Sequence, residues 1–316
     1  MVRGIAIVGV VFLHSSFAGR FDAPTLALCA VLGRVFDWAV LAFFFLSGLL
    51  LDERQSFARF LKKRFKSLLV PFLLYNVFYN LVFGLLQFAT GKHFGGFQWS
   101  KSLLLLGWFH SPAFQLYFLP YLFGIAVTLF LVCKVTPIRG RWLLLLIGFA
   151  GMVAFYQNFG WPDRSHGPAW TKLPLYLTAC LLGVVGRPIQ KDKPRPALIL
   201  PLLICVALAL TSRHLCLRSL LVPPLLYIVA SIVDLWWESK LLQKIGRSAA
   251  AIYLWHTPIL LPAFTAIFAL CNVPPLANLG LSVVLTITVC VLLRQIVTER
   301  ADGFSKEPCD GETNNP

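Results

Sequence analysis

Two histidines and an arginine stand where the chain is otherwise apolar. Arg3 and His14 close the two ends of RGIAIVGVVFLH, and the ten residues between them are all apolar or Gly. Read as one helix, the stretch separates the pair by roughly 16 Å along its axis, with Arg3 near a membrane surface and His14 well inside. Towards the other end of the chain, KIGRSAAAIYLWHTPIL sets His256 about two turns into a second apolar stretch. Tyr253 lies three residues earlier on the same face, and Pro258 follows, where a proline frees backbone groups to face a cavity. Ionisable groups at such depth are costly and mark functional sites. A neutral imidazole is a proton acceptor, and two of them at comparable depth point to one shared polar cavity.

Further polar groups interrupt the second apolar stretch. Arg34 and Asp37 are three residues apart, so one helix face would carry both and let them neutralise each other. Alternatively, Asp37 orients a histidine of the first stretch, or Arg34 meets an anionic or developing anionic group. Ser47 and Gly48 in AFFFLSGLLL form a small pair that allows close helix approach. The segment FARFLKKRFKSLLVPF alternates Phe57, Phe60, Leu61, Phe65 and Leu68 with Arg59, Lys62, Lys63, Arg64 and Lys66. It reads either as an interfacial helix on anionic lipid or as a docking surface for a phosphate-rich ligand such as a nucleotide-bearing coenzyme. His93, His110, His166 and His214 fall in connections and carry no assignment.

The elements that must position these groups are membrane helices. Hydrophobic residues make up 58% of the 316 and charged residues 13%, and the mean hydropathy is +0.76. Such values exclude an ordinary globular domain. Ten apolar spans are expected, at 3–18, 26–51, 68–90, 116–133, 142–158, 171–186, 196–211, 219–236, 249–271 and 276–297, with no cleavable signal ahead of them. The net charge of +15 is distributed by topology and does not indicate a nucleic-acid partner. Twenty of the 28 Lys and Arg residues fall in alternate connections and the termini, against seven in the intervening connections. That asymmetry places both termini and the basic connections in the cytoplasm. The expected fold is therefore all-α: a polytopic integral membrane protein of about ten transmembrane helices in the lipid bilayer. The transmembrane domain covers 1–298, and a disordered polar cytoplasmic tail covers 299–316. The eight cysteines are scattered singly, without metal-ligand spacing, so no metal site is expected. The residues carry no signal for oligomeric state.

Five segments in order, RGIAIVGVVFLH, FFFLSGLLL, LKKRFKSLLVPF, QLYFLPYLFG and SAAAIYLWHTPIL, resemble the membrane acyltransferase-3 family, and the resemblance runs from Arg3 to about Arg294. The resemblance implies an O-acyltransferase of the cell (inner) membrane. Such an enzyme moves an acyl group, commonly acetyl, from acetyl-CoA or another acyl-CoA onto a hydroxyl of a sugar or cell-surface glycan such as a polysaccharide. The coenzyme is a donor substrate, and no cofactor is held permanently. The resemblance makes His14 catalytic and Arg3 its essential companion. The family's Arg-x-x-Arg pair in the basic segment is matched by Arg64, but Ser67 stands at the second position, with Lys63 and Lys66 nearby as donor-binding cations. Tyr117 and Phe118 stand where a tryptophan-bearing version is common. The acidic residue that commonly precedes the first arginine would fall upstream of Met1. No soluble esterase-like domain of the kind fused to some members is expected.

Acyl transfer from a thioester needs a base for the incoming hydroxyl, a stabiliser for the oxyanion, and exclusion of water. His14 is the expected general base, and Arg3 is placed to hold the coenzyme's phosphates or pantetheine. Arg34, Asp37, Tyr253 and His256 are the candidates for the acceptor hydroxyls or the oxyanion. The alternative is a transporter or flippase of a glycan-related or other polar solute, with the same buried groups lining a path.

Overall fold

The computed structural model describes residues 1–15, 21–91, 114–159, 169–186, 215–233 and 239–304, and every regular element among them is helical. In order they are α1 (Val2–Ser15), α2 (Ala23–Val35), α3 (Ala39–Leu49), α4 (Phe57–Arg64), α5 (Val70–Thr90), α6 (Phe118–Val135), α7 (Ile138–Phe159), α8 (Leu173–Gly186), α9 (Leu215–Val233), α10 (Lys240–Arg247), α11 (Ala249–Trp255), α12 (Leu261–Leu270) and α13 (Pro275–Phe304). Five stretches, 23–49, 57–90, 115–135, 140–159 and 275–297, are long and apolar enough to cross a bilayer, and shorter apolar helices accompany them. The chain is a multi-pass membrane protein. The expected span 196–211 lies outside the described residues. α13 continues past residue 298 to Phe304, and the rest of the expected tail lies outside the described residues.

α3 is the centre of the bundle. Nine of its residues, from Ala39 to Leu49, are buried, as expected of a helix that is apolar all round. Its contact with α8 is made by two glycines: a Cβ at Gly48 would strike the Cys180 carbonyl, and a Cβ at Gly183 would strike the Phe45 carbonyl. Gly48, one of the small pair Ser47–Gly48, lies at this crossing, where small residues let two backbones meet. α1 uses the same device at its start, with Gly4 against the Leu242 carbonyl of α10 and Gly246 beside the Gly4 nitrogen.

One element differs from expectation, and the packing of a second adds detail to it. Arg34 and Asp37 do not share a continuous helix, because α2 ends at Val35 and a turn over 36–38 precedes α3. The Phe36 ring lies in the notch left by Gly9 and stacks on Phe12 at 5.5 Å, and Trp38 turns inward at the same point. The basic segment is tied into the bundle at both its end and its apolar face. α4 runs through a π-turn (Phe65–Leu69) directly into α5, with Pro71 in the first turn. Its apolar face docks on α6, where Phe60 is buried and stacks on Phe130 at 4.2 Å. That aromatic contact is made within the protein, while Lys62, Lys63 and Lys66 remain at the surface together with the Phe65 ring.

Candidate active site

The site forms where the end of α1 meets a break between α11 and α12. Pro258 has no N–H, so the Leu254 carbonyl, four residues earlier, loses its helical donor. The proline also forces the preceding residue out of the helical region, and Thr257 is extended at φ −134° and ψ 148°. The chain closes the break with a π-turn (His256–Leu260), in which the Leu261 N–H bonds to the His256 carbonyl. Side chains from distant helices satisfy the freed carbonyls. The Tyr79 hydroxyl of α5 donates to the Leu254 carbonyl and lies 3.5 Å from the Thr257 carbonyl. The Gln115 amide, in the short 3-10 turn ahead of α6, donates to the Thr257 carbonyl. Within the membrane, irregular backbone requires such partners.

This frame fixes His256. Its Nδ1 lies 2.9 Å from the Ile252 carbonyl and 2.9 Å from the Tyr253 carbonyl. Carbonyls only accept, so in the neutral ring Nδ1 carries the proton and Nε2 presents a lone pair. The side chain is fully buried, and Nε2 has no hydrogen-bond partner among the described residues. The His14 ring lies opposite, 5.2 Å away between centroids and tilted by 51°. The two histidines, 242 residues apart in the sequence, thus share one locus, with Tyr253 at 6.0 Å from His256. The Tyr253 hydroxyl donates to the Gln115 carbonyl, so it is committed as a donor and can only accept from a ligand. Phe118 packs on Tyr253 at 5.3 Å and on Phe44 at 5.1 Å, closing the apolar wall.

At the other end of α1, Arg3 is exposed and lies against α10 beside Gly246. Arg64 of α4 is within electrostatic reach of Arg3 and of the Cys180 thiol, and it sits over the Phe60 ring at 5.4 Å. Lys63 and Lys66 are exposed on the same segment. Cations from two separate helices therefore converge near the start of α1.

α2 packs antiparallel to α1: Cys29 meets Ser15, and Phe36 meets Phe12. Arg34, exposed in the last turn of α2, consequently lies at a depth close to that of His14. Asp37, in the turn, is half-buried and accepts from Ser219 Oγ of α9 at 2.9 Å. The structure thus brings together His14, His256 and Tyr253 in one place and Arg3 and Arg64 in another, and it directs Asp37 towards α9. Sequence reading missed Tyr79 and Gln115. Their signal was Pro258 itself, since a proline inside a membrane helix requires a polar side chain from elsewhere to meet the carbonyl it strands.

No curated protein and no solved structure matches this chain. A protein-family model described as an acyltransferase domain matches residues 1–295, nearly the whole described bundle. With both histidines, the basic segment and the multi-pass architecture inside that match, the chain belongs to the acyltransferase 3 family of membrane acyltransferases.

Proposed function

We propose that this protein transfers an acyl group, acetyl in the simplest case, from an acyl-coenzyme A thioester to a hydroxyl of a sugar or cell-surface glycan, with His14 as general base. The supporting observation is that one helix carries both ends of the reaction path: Arg3 in a cationic cluster with Arg64, and His14 in a buried aromatic locus. The coenzyme's phosphates rest on Arg3, Arg64, Lys63 and Lys66 at the cytoplasmic face, and the pantetheine arm reaches along α1. His14 takes the proton of the incoming hydroxyl as its oxygen bonds to the thioester carbonyl carbon. The carbon–sulfur bond then breaks, and the coenzyme thiolate takes the proton back from His14. Arg34, at a depth close to that of His14, stabilises the developing oxyanion, and Asp37 with Ser219 offers polar groups to the acceptor. Ten spans with both termini cytoplasmic, in the cell (inner) membrane, complete this reading.

Transfer of radiolabelled acetyl from acetyl-CoA to the envelope fraction of a strain lacking this chain tests it. His14→Ala is expected to abolish transfer at normal protein level, and full transfer by that variant would overturn the assignment of the base. Loss of acetyl-CoA binding on combined neutralisation of Lys63, Arg64 and Lys66 supports the donor site. Unchanged affinity returns that segment to a lipid-facing role.

A further inference from the structure

We propose that His256 is a positioning residue for His14, its Nε2 accepting a hydrogen bond from His14 Nδ1–H so that His14 presents its own Nε2 lone pair to the acceptor hydroxyl. This rests on the reading of His14 as the base and gives it an orienting partner, which general-base histidines require to hold one tautomer.

Three observations carry it. First, His256 is locked: the Ile252 and Tyr253 carbonyls hold its Nδ1 proton, and the break that carries it is held by Tyr79 and Gln115. Its ring cannot change tautomer without losing both carbonyl contacts, so Nε2 is a fixed acceptor. Second, that acceptor is fully enclosed and has no hydrogen-bond partner among the described residues, which is a costly state for a buried polar atom in a bundle that satisfies even its stranded carbonyls. Third, the His14 ring is the ionisable group facing it, at 5.2 Å between centroids, and His14 Nδ1 is enclosed with it. An imidazole nitrogen sits about 1.1 Å from its ring centre, so two nitrogens turned towards each other come to roughly 3 Å, hydrogen-bond length. A rotation of the His14 ring makes that contact, as catalytic hydrogen bonds commonly tighten only in the loaded enzyme.

The chemistry follows from the arrangement. With Nδ1–H held by His256, neutral His14 has its lone pair on Nε2, the only form that can take the hydroxyl proton. Once His14 is protonated, both its nitrogens carry hydrogen. His256 Nε2 then faces the cation as an acceptor, and no carboxylate need be buried beside it. The proton leaves from His14 Nε2 to the coenzyme sulfur, and His256 neither gains nor loses one.

The test compares purified, monodisperse variants in the acetyl-transfer assay. His256→Phe keeps the ring volume and removes the acceptor. It is expected to lower kcat on the order of 10²-fold while leaving the KM for acetyl-CoA unchanged. His256→Gln can donate its amide to the Ile252 carbonyl and present Oε1 to His14, and it is expected to recover at least tenfold of that loss. Should His256→Phe not fold, His256→Met, flexible enough to fill the same space, takes its place against His256→Gln. Equal kcat for the apolar and amide variants per folded protein, or a loss in KM alone, would overturn the proposal. If His14→Ala is inactive while His256→Phe retains the wild-type kcat, this inference falls and the base assignment stands. If His14→Ala is fully active, the base assignment falls first.

Discussion

Tyr79→Phe isolates one hydroxyl whose partner is known and whose need is set by a proline 179 residues further on. Tyr79 is fully buried, and its hydroxyl donates to the Leu254 carbonyl that Pro258 strands. Removing it leaves a buried acceptor unsatisfied, at a cost of about 1–3 kcal/mol in a protein interior. Hydrogen bonds between membrane helices average nearer ~0.6 kcal/mol, because the unfolded chain in the membrane also finds partners. Here the local alternative is missing, since residue 258 has no N–H to offer, so a value of about 1.5 kcal/mol is expected, close to tenfold in the folding equilibrium. A second substitution separates this argument from mere loss of packing. Pro258→Ala restores an N–H that can bond to the Leu254 carbonyl, so Tyr79→Phe is expected to cost close to nothing in that background, a coupling of about 1.5 kcal/mol. Unfolding followed by tryptophan fluorescence in detergent micelles, on the wild type, both single variants and the double variant, measures it. An equal cost of Tyr79→Phe in both backgrounds would refute the reasoning, because the hydroxyl would then be unrelated to the proline break.

Three other expectations follow from the same geometry. Gly48→Leu and Gly183→Leu should each prevent assembly of α3 on α8, since either side chain meets a facing carbonyl, and size-exclusion chromatography should show loss of the monodisperse protein, whereas Gly124→Leu, in open space, should leave it unchanged. Phe60→Ala should destabilise by about 3–5 kcal/mol, the range for a large-to-small change at a buried aromatic, and thermal unfolding in detergent reads it. Arg64→Ala should raise the KM for acetyl-CoA about tenfold with kcat little changed, since an anchoring charge held equally in ground and transition states acts on binding alone.

Sequence made some of this architecture plain and left other parts hidden, for physical reasons. The long apolar runs announce themselves, because a bilayer demands backbone hydrogen bonding within each span and so imposes length and hydropathy directly on the residues. Arg3 and His14 were legible for a related reason: charge and imidazole are conspicuous in an apolar run, and a single helix relates their positions without any tertiary information. The Arg34–Asp37 relation was not legible. Their i,i+3 spacing implies a shared face only if the helix is continuous, and the turn at 36–38 depends on the Gly9 notch of another helix receiving Phe36. The basic segment is ambiguous for another reason. Its amphipathic pattern suits anionic lipid and a phosphate-rich ligand alike, and the Phe60–Phe130 stack, which anchors it on α6, is a contact with a distant helix that the local pattern does not reveal.

The two π-turns among the described residues, at 65–69 and at 256–260, are each associated with a proline, and each carries or adjoins the polar groups on which the proposed chemistry depends. A membrane interior gives a reason for this association. Polar groups there cannot be oriented by water, so a site must fix them with protein partners before any ligand arrives. The proline break leaves carbonyls open, and those at Leu254 and Thr257 fix Tyr79 and Gln115 from distant helices, while His256, in the turn just before Pro258, is held through its Nδ1 by the last carbonyls of α11. Once those bonds are made, the enclosed polar atoms still without partners among the described residues include His256 Nε2 and Gln115 Oε1, both acceptors. Acceptors fixed in this way favour groups that bring hydrogens, which is the character of a hydroxyl-bearing acceptor and of a histidine N–H alike. On the proposed reading the helical defect prepares the site, and substituting Pro258 should disturb turnover through the orientation of His256 before it disturbs the fold.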